Sequence, residues 1–242
     1  MRNHGWLVLA AALASGPAWA GDNSGTYEMD GTIGPYRVGA QMTVSDGQFV
    51  AGHYFYATQL KDIPLTGAAA GAHLTLSEPG GGVFQLTLKG NGGVGGDGSS
   101  FSTSVGLVGT WTQGAKTLPV NLGFGEVDPG GPPNPRYADV TTDSDAAFEA
   151  RVTRLLHAVL SGDKAGAAAL VSYPLSVNGA KPLTIRTPAS FEARWGQIFT
   201  PGMLATLRTA MPHEMFVHEG QAMVANGAAW FDAKGLSALN EP

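Results

Sequence analysis

Cysteine is absent from this chain of 242 residues. Its absence excludes disulfides, thiolate metal sites and the thioacyl anchor that a cysteine after a signal peptide would carry. An exported chain without disulfides has to be stabilised by its hydrophobic interior. This chain is long enough to bury one large core or two ordinary ones.

Basic charge is scarce as well. Lysine and arginine together number 14 against 19 aspartates and glutamates, which gives a formal charge of −5. Binding to nucleic acid requires many basic side chains to neutralise phosphates, and binding to anionic membrane surfaces requires the same. We therefore expect partners other than nucleic acid or anionic lipid.

Long apolar runs are limited to the N-terminus. Residues 6–14 form an apolar run that is too short to span a bilayer, and the small-x-small motif Ala18-Trp19-Ala20 follows it. This pattern is typical of a secretory signal peptide over residues 1–20. We expect the mature protein to begin near Gly21, to be periplasmic or secreted, and to have no membrane-spanning helix.

Alternating apolar residues dominate the segment 21–122, which we assign to an antiparallel β domain. Residues 36–44 alternate, Asp46-Gly47 suits the tight turn of a hairpin, and residues 48–56 return as a second strand. Short strands between regular turns are typical of a meander that curls into a sandwich or small barrel. Further strands are predicted at 73–77, 83–88, 105–112 and 118–122.

Residues 123–142 are predicted to be a linker. The segment 128–135 is rich in proline and glycine, and such a composition propagates neither a helix nor a central strand. The linker therefore divides the chain into two domains, and it precedes an α+β domain over residues 143–242.

Helical periodicity replaces strand alternation at the start of this second domain. Asp143 or Ser144 is placed to cap a first helix, and Gly162 is placed to end it. The apolar positions of this helix recur with a period of 3.6 residues, which places them on one face. They are Phe148, Val152, Leu155, Leu156 and Val159.

The order of elements in residues 143–242 is helix, helix, hairpin, helix, helix, hairpin. After the first helix we predict a short helix from Asp163 to about Val171 and a hairpin around Asn178-Gly179. A third helix starts at Thr187-Pro188 and carries an apolar stripe of Phe191, Trp195, Ile198 and Phe199, and a fourth helix starts at Thr200-Pro201. The domain ends with a hairpin of strands 216–225 and 228–231 and a last strand at 236–239. This layout, with the Gly162-Asp163 break, Tyr173-Pro174-Leu175 before the strands and the Asn226-Gly227 turn, resembles the NTF2-like (SnoaL-like) α+β cone.

The NTF2-like resemblance implies helices packed across a strongly curved sheet, with a pocket between them. The family includes small-molecule isomerases and cyclases as well as binding and structural members. Because it shares no catalytic motif, the resemblance implies no catalytic residue. The β domain is assigned to no family.

Five residues of the second domain are candidate ligand contacts, because aromatic walls with a few polar groups suit a pocket. Core packing is the alternative for two of them, since Trp195 lies on a helical stripe and Met223 should face Trp230 across the last hairpin. The candidates are Tyr173, Arg194, Trp195, His218 and Trp230.

Aromatic residues are also concentrated in the β domain, at 53–56 and at Trp111. Strand alternation sends Tyr54 and Tyr56 to one face and His53 and Phe55 to the other. One face must be core, and the other is either a binding surface or ordinary solvent-exposed surface.

The candidate metal-binding motifs of the sequence do not have the spacing or the number of copies that metal binding requires. His213 and His218 are five residues apart, whereas a helical zinc motif requires four. The sequence G-G-x-G-x-D at 92–97 matches one calcium-binding nonapeptide, but such sites need several stacked copies, so a loop is favoured. We predict no metal site and no cofactor.

A non-catalytic binding protein of the bacterial-type envelope is the favoured function, with a protein or cell-wall component as partner. Neither a nucleophile–base pair nor a G-x-S-x-G motif occurs, and residues 99–104 are only serine-rich. The alternative is a small-molecule enzyme or ligand-binding protein that uses a pocket in the second domain, with His218 or Glu219 as base. The oligomeric state stays open.

Overall fold

The computed structural model describes residues 23–90, 100–131 and 134–241. The predicted signal peptide and the glycine-rich segment 92–97 lie outside the described residues. Within the described ranges, every helix is too short or too polar to cross a membrane.

The N-terminal domain is a closed barrel of eight strands, in which each strand pairs antiparallel with the next and the first pairs with the last. The strands are β1 Gly25–Ile33, β2 Tyr36–Ser45, β3 Gln48–Tyr56, β4 Ile63–Ala70, β5 His73–Ser77, β6 Val83–Gly90, β7 Ser104–Gln113 and β8 Lys116–Asp128.

Period-two alternation fills the barrel interior. On β6, Phe84, Leu86 and Leu88 are buried, whereas the alternate residues Gln85 and Lys89 are exposed. Because neighbouring side chains of a strand point to opposite faces, each strand contributes every second residue to the core. The other residues of each strand form the outer wall.

The prediction of an antiparallel barrel is confirmed, but two of its strands were missed. β1 carries polar and small residues at alternate positions, and β4 contains Pro64 and a run of small residues, so neither shows a strong apolar signal. A β-carbon on Gly67 of β4 would lie 2.1 Å from the carbonyl oxygen of Thr75, so the close strand approach requires glycine there. β8 also continues past Leu122 to Asp128.

The C-terminal domain combines a mixed six-stranded sheet with short helices. The strand order is β10-β9-β14-β13-β12-β11, and β14 pairs parallel with β9 while the other pairs are antiparallel. The elements are α1 Asp145–Ser161, α2 Lys164–Ala168, β9 Val171–Asn178, β10 Leu183–Ile185, α3 Pro188–Ala193, α4 Trp195–Ile198, α5 Pro201–Leu207, β11 Phe216–His218, β12 Gln221–Val224, β13 Ala229–Phe231 and β14 Leu236–Asn240.

Local signals of the sequence are confirmed at the start and end of α1. The Ser144 side chain accepts a hydrogen bond from the backbone N–H of Ala147, and Gly162 adopts a left-handed φ of 77° after the last turn. All five residues of the predicted apolar stripe are buried. Asp163, Thr187 and Thr200 cap the helices that follow, as predicted.

Three predicted elements of this domain are wrong in extent. The short helix predicted to reach about Val171 ends at Ala168, and β9 begins at Val171. The predicted third helix is interrupted at Arg194, which separates α3 from α4. The predicted strand 216–225 is divided into β11 and β12 by a turn in which Glu219 and Gly220 have φ of 48° and 74°. The sheet with helices is the coarse architecture expected for residues 143–242, and the NTF2-like cone stays a prediction.

Two separate hydrophobic cores are present among the described residues, one inside the barrel and one between the helices and the mixed sheet. The second core begins before α1, because Tyr137 and Val140 are buried in it. The end of the predicted linker 123–142 is therefore packed into the C-terminal domain.

The substitution Leu76→Ala tests the barrel core. Leu76 is fully buried, so we expect a loss of about 2–5 kcal/mol in the free energy of unfolding, measured by urea denaturation. The control Val50→Ala removes a side chain that is 60% exposed and should change this free energy by about 0.5 kcal/mol or less. Equal effects would contradict the assigned core.

Candidate functional site

A cavity of about 610 Å³ lies between the outer wall of the barrel and the C-terminal domain. We call it the junction cavity. Its lining residues come from four barrel strands, β1, β2, β3 and β8, and from the segment around β11 and β12. They are Glu28, Met29, Asp30, Arg37, Gly39, Ala40, Phe55, Gly125, Glu126, Thr209, Met211, His213, Glu214, Met215, Phe216, Met223, Val224, Ala225 and Asn226.

Phe55 is the apolar contact at the centre of the junction. It points outward from β3 and pairs across the strands with Gly39, where an added β-carbon would lie 2.2 Å from the ring. The ring therefore lies on the glycine backbone. Its other neighbour is His213, whose ring centroid is 4.5 Å away at 88°. Phe55 is 3% exposed although it belongs to neither core, so the C-terminal domain covers it.

Arg136 links the two domains by charge. Its guanidinium donates to a Glu28 carboxylate oxygen of the barrel at 2.5 Å and to a Glu214 oxygen of the C-terminal domain at 3.3 Å. The three side chains are 12%, 24% and 15% exposed, so these charges are largely withdrawn from water. Pairing of this kind is needed where carboxylates are buried.

His213 makes a second link. Its Nδ1 lies 2.7 Å from a Glu149 oxygen of α1, and its Nε2 lies 2.9 Å from Asp62 at the loop before β4. A third link joins His53 Nε2 of β3 to the same Glu214 carboxylate at 2.9 Å. Both histidines therefore bridge the barrel and the C-terminal domain.

Tyr137 holds the segment that carries His213 and Glu214. Its hydroxyl donates to Glu149 at 2.8 Å and accepts from the backbone N–H of Met215 at 2.9 Å. The backbone N–H of Glu214 donates to the same Glu149 oxygen at 3.1 Å, with φ of 51° at Glu214. The segment is thus fixed by the half-buried carboxylate of Glu149 and the buried phenol of Tyr137.

The charges of the junction shift the pKa values of its groups. Burial on its own would lower the pKa of His213, but hydrogen bonds to Glu149 and Asp62 outweigh it and raise the pKa to about 9. The pKa of His53 is also raised, because Glu214 outweighs the effect of burial. Burial raises the pKa of Glu28 in spite of Arg136.

The imidazole of His213 is held on both sides. Both ring nitrogens of His213 are engaged by carboxylates, so neither is directed at a substrate. A general base requires a nitrogen or oxygen within reach of a substrate proton. Within the described ranges, no three His, Cys, Asp or Glu side chains are arranged to hold a metal ion.

The five candidates predicted for the C-terminal domain do not line the junction cavity. Tyr173 and Trp195 are brought together around Phe191, with ring centroids 6.4 and 5.6 Å from it. The Tyr173 hydroxyl donates to the carbonyl of Ala168, and Arg194 is exposed between α3 and α4. As ligand contacts, these residues stay predictions.

His218 and Trp230 lie apart from that group, on β11 and β13. Met223 faces Trp230, as predicted, and the Trp230 indole donates to the carbonyl of Gly227 at 2.9 Å. The His218 side chain is 61% exposed and stacks on Phe216. His213 precedes β11 and does not share a strand with His218.

Most of the junction was missed by sequence reasoning. Alternation predicts that His53 and Phe55 share one face of their strand but leaves open whether that face is core, and the structure shows that it is the outer face that meets the C-terminal domain. His213 was considered only as a metal ligand. Arg136 and Glu149 carried no local signal, because each acquires its role from partners far away in the chain.

Comparisons with known proteins add no assignment: no family model, no curated protein and no solved structure matches this chain.

The substitution Arg136→Gln tests the charge link. It leaves Glu28 and Glu214 partly buried without a cation, so we expect a loss of about 3 kcal/mol in the free energy of unfolding. The matched control is Arg186→Gln, an exposed arginine outside the junction, which should change it by about 0.5 kcal/mol or less. Similar losses for the two variants would exclude the link as a stabilising contact.

The raised pKa of His213 predicts a pH dependence. A histidine whose pKa is higher in the folded state than in the unfolded chain stabilises the folded state fully at a pH below its unfolded pKa, near 6.5. This contribution is lost as the pH rises through the folded-state pKa of about 9. The wild type should therefore exceed His213→Gln in free energy of unfolding by a difference, the stability gap, that shrinks by on the order of 2 kcal/mol between about pH 6 and about pH 10. Urea unfolding at each pH measures this difference. His157→Gln, an exposed change on α1, serves as control. A constant gap would contradict the assignment.

Proposed function

We propose that this chain is an exported, non-catalytic binding protein whose partner occupies the junction cavity. The partner is a protein or cell-wall component of the envelope. The carrying observation is a cavity of about 610 Å³ formed by both domains, which lies within the range of known ligand sites. Because both domains line it, a partner bound there would contact both domains at once.

The lining of the cavity supports binding. Met211, Phe216 and Met223 are partly exposed apolar side chains on its C-terminal wall. Methionine adapts to irregular surfaces and is common where partners are bound. Thr209 and Asn226 add hydrogen-bonding groups at the edge.

The barrel wall of the cavity supports a partner with basic groups. Glu28, Asp30 and Glu126 lie there on β1 and the neighbouring β8, and Arg136 pairs with only the first of them. They outnumber the basic residue of this wall, Arg37 on β2. Burial, followed by repulsion from Glu28 and Asp128, raises the pKa of Glu126. A cation from the partner would relieve this repulsion.

The enzyme alternative has weaker support. The side chains of His218 and Glu219 are 61% and 85% exposed, and neither lines the junction cavity. A catalytic base is normally held in a site that positions substrate and restricts water. The binding function is therefore preferred.

Blocking the cavity tests the proposal. Thr209 lines the cavity and is exposed, whereas its neighbour Arg208 is exposed but does not line it. The mature chain is immobilised, and partners are captured on it from an envelope extract and from solubilised cell wall. Each captured partner is then titrated against the wild type and the variants Thr209→Trp and Arg208→Trp. We expect Thr209→Trp to weaken binding about tenfold or more and Arg208→Trp to leave it unchanged.

Two results would overturn the proposal. One is that neither extract yields a saturable partner. The other is that both tryptophan variants bind the partner as the wild type does, which would place binding outside the cavity.

A further inference from the structure

One end of the barrel carries a group of aromatic and polar side chains that the junction cavity does not use. Five of them, which we call the barrel mouth, are Tyr36, Tyr56, Glu78, Trp111 and Lys116. Four of them follow the inward alternation of their strands at or near a strand end, and Glu78 directly follows β5, so the group continues the core towards solvent. None of the five lines the junction cavity.

The aromatic rings of the mouth form a connected layer. Tyr36 meets Tyr56 edge to face at 5.8 Å, and Tyr56 meets the buried Tyr54 beneath it at 5.5 Å. Tyr36 is nevertheless 47% exposed, the most exposed of the tyrosines, phenylalanines and tryptophans among the described residues. Exposed tyrosine supplies a rigid contact area at small entropic cost.

A buried donor beneath this layer has no partner. Trp111 is 5% exposed, and its indole N–H makes no hydrogen bond within the described chain. Burial of an unpaired donor costs free energy unless a molecule from outside satisfies it. The indole nitrogen lies 2.4 Å from the point that a β-carbon on Gly82 would occupy, so it is directed at the β5–β6 turn at the mouth.

Glu78 supplies an acceptor at the same place. One of its carboxylate oxygens accepts from the Tyr54 hydroxyl, and the other lies 2.3 Å from the same point above Gly82. Donor and acceptor therefore converge where only glycine fits. A buried N–H without a partner and a carboxylate oxygen thus lie against the same turn of the mouth.

Lys116 completes the set. Its ammonium lies 5.5 Å from the Tyr36 ring centroid and 5.7 Å from that of Trp111. The residue is exposed, so this flexible side chain is free to move aside when a ligand contacts the rings.

We infer that the barrel mouth is a binding site for a neutral saccharide. A pyranose ring has an apolar C–H face that fits on Tyr36, and its hydroxyls both donate and accept. They match the Trp111 donor and the Glu78 acceptor together. A small anion would meet the Glu78 carboxylate and a small cation would meet Lys116, so the charges favour an uncharged ligand.

The Trp111 indole N–H is the reporter for the test. The mature chain, labelled with ¹⁵N, is titrated with triacetylchitotriose and separately with maltotriose, and the indole signals are followed by NMR. Trp111→Phe assigns the signal. We expect at least one trisaccharide to shift the Trp111 signal saturably, while those of Trp195 and Trp230 stay in place and report an intact fold.

Tyr36→Ala removes the exposed stacking surface and should weaken this binding about tenfold. The control Val50→Ala removes an exposed apolar side chain elsewhere on the barrel and should leave it unchanged. The inference is overturned if neither sugar moves the Trp111 signal at up to about 50 mM, if all indole signals move together, or if Tyr36→Ala binds like the wild type.

Discussion

The pairing of Arg136 with a carboxylate from each domain is the interaction on which the rest of the arrangement depends. Glu28 and Glu214 lie mostly out of water, and without the guanidinium they would repel each other across the junction. Once they are paired, the outer wall of the barrel approaches closely enough to cover Phe55 and to place His213 between Asp62 and Glu149. The junction cavity is the space left between the barrel wall and the C-terminal domain beside this contact.

Local patterns in the sequence predicted most of the secondary structure. The alternation of β2 and β6, the Ser144 cap and the Gly162 terminus are short-range features, and short-range physics is sufficient for them. β4 was missed because Pro64 and small residues give it little apolar signal, although tertiary pairing with β3 and β5 still makes it a strand.

The junction was beyond such patterns, because its charged residues are scattered along the chain. Glu28 and Arg136 are 108 positions apart, and His53 and Glu214 are 161 apart. An isolated arginine in a proline-rich linker looks like a solvated residue until the fold brings carboxylates to it. The aromatic residues at the barrel mouth differ in this respect, because Tyr54, Tyr56 and Trp111 are recognisable in the sequence as an aromatic concentration, and only the structure shows that they lie at one end of the barrel.

The position of β14 has a consequence for the order in which the C-terminal domain is assembled. β14 is the last strand in the described chain, yet it lies between β9 and β13 in the middle of the sheet. Without it, β9–β10 and β11–β13 are two ribbons whose described strands do not pair with each other. A ribosome-bound polypeptide that lacks residues 236–240 therefore cannot close this sheet. Folding must wait until that strand emerges, whereas the sequential barrel is free to form earlier.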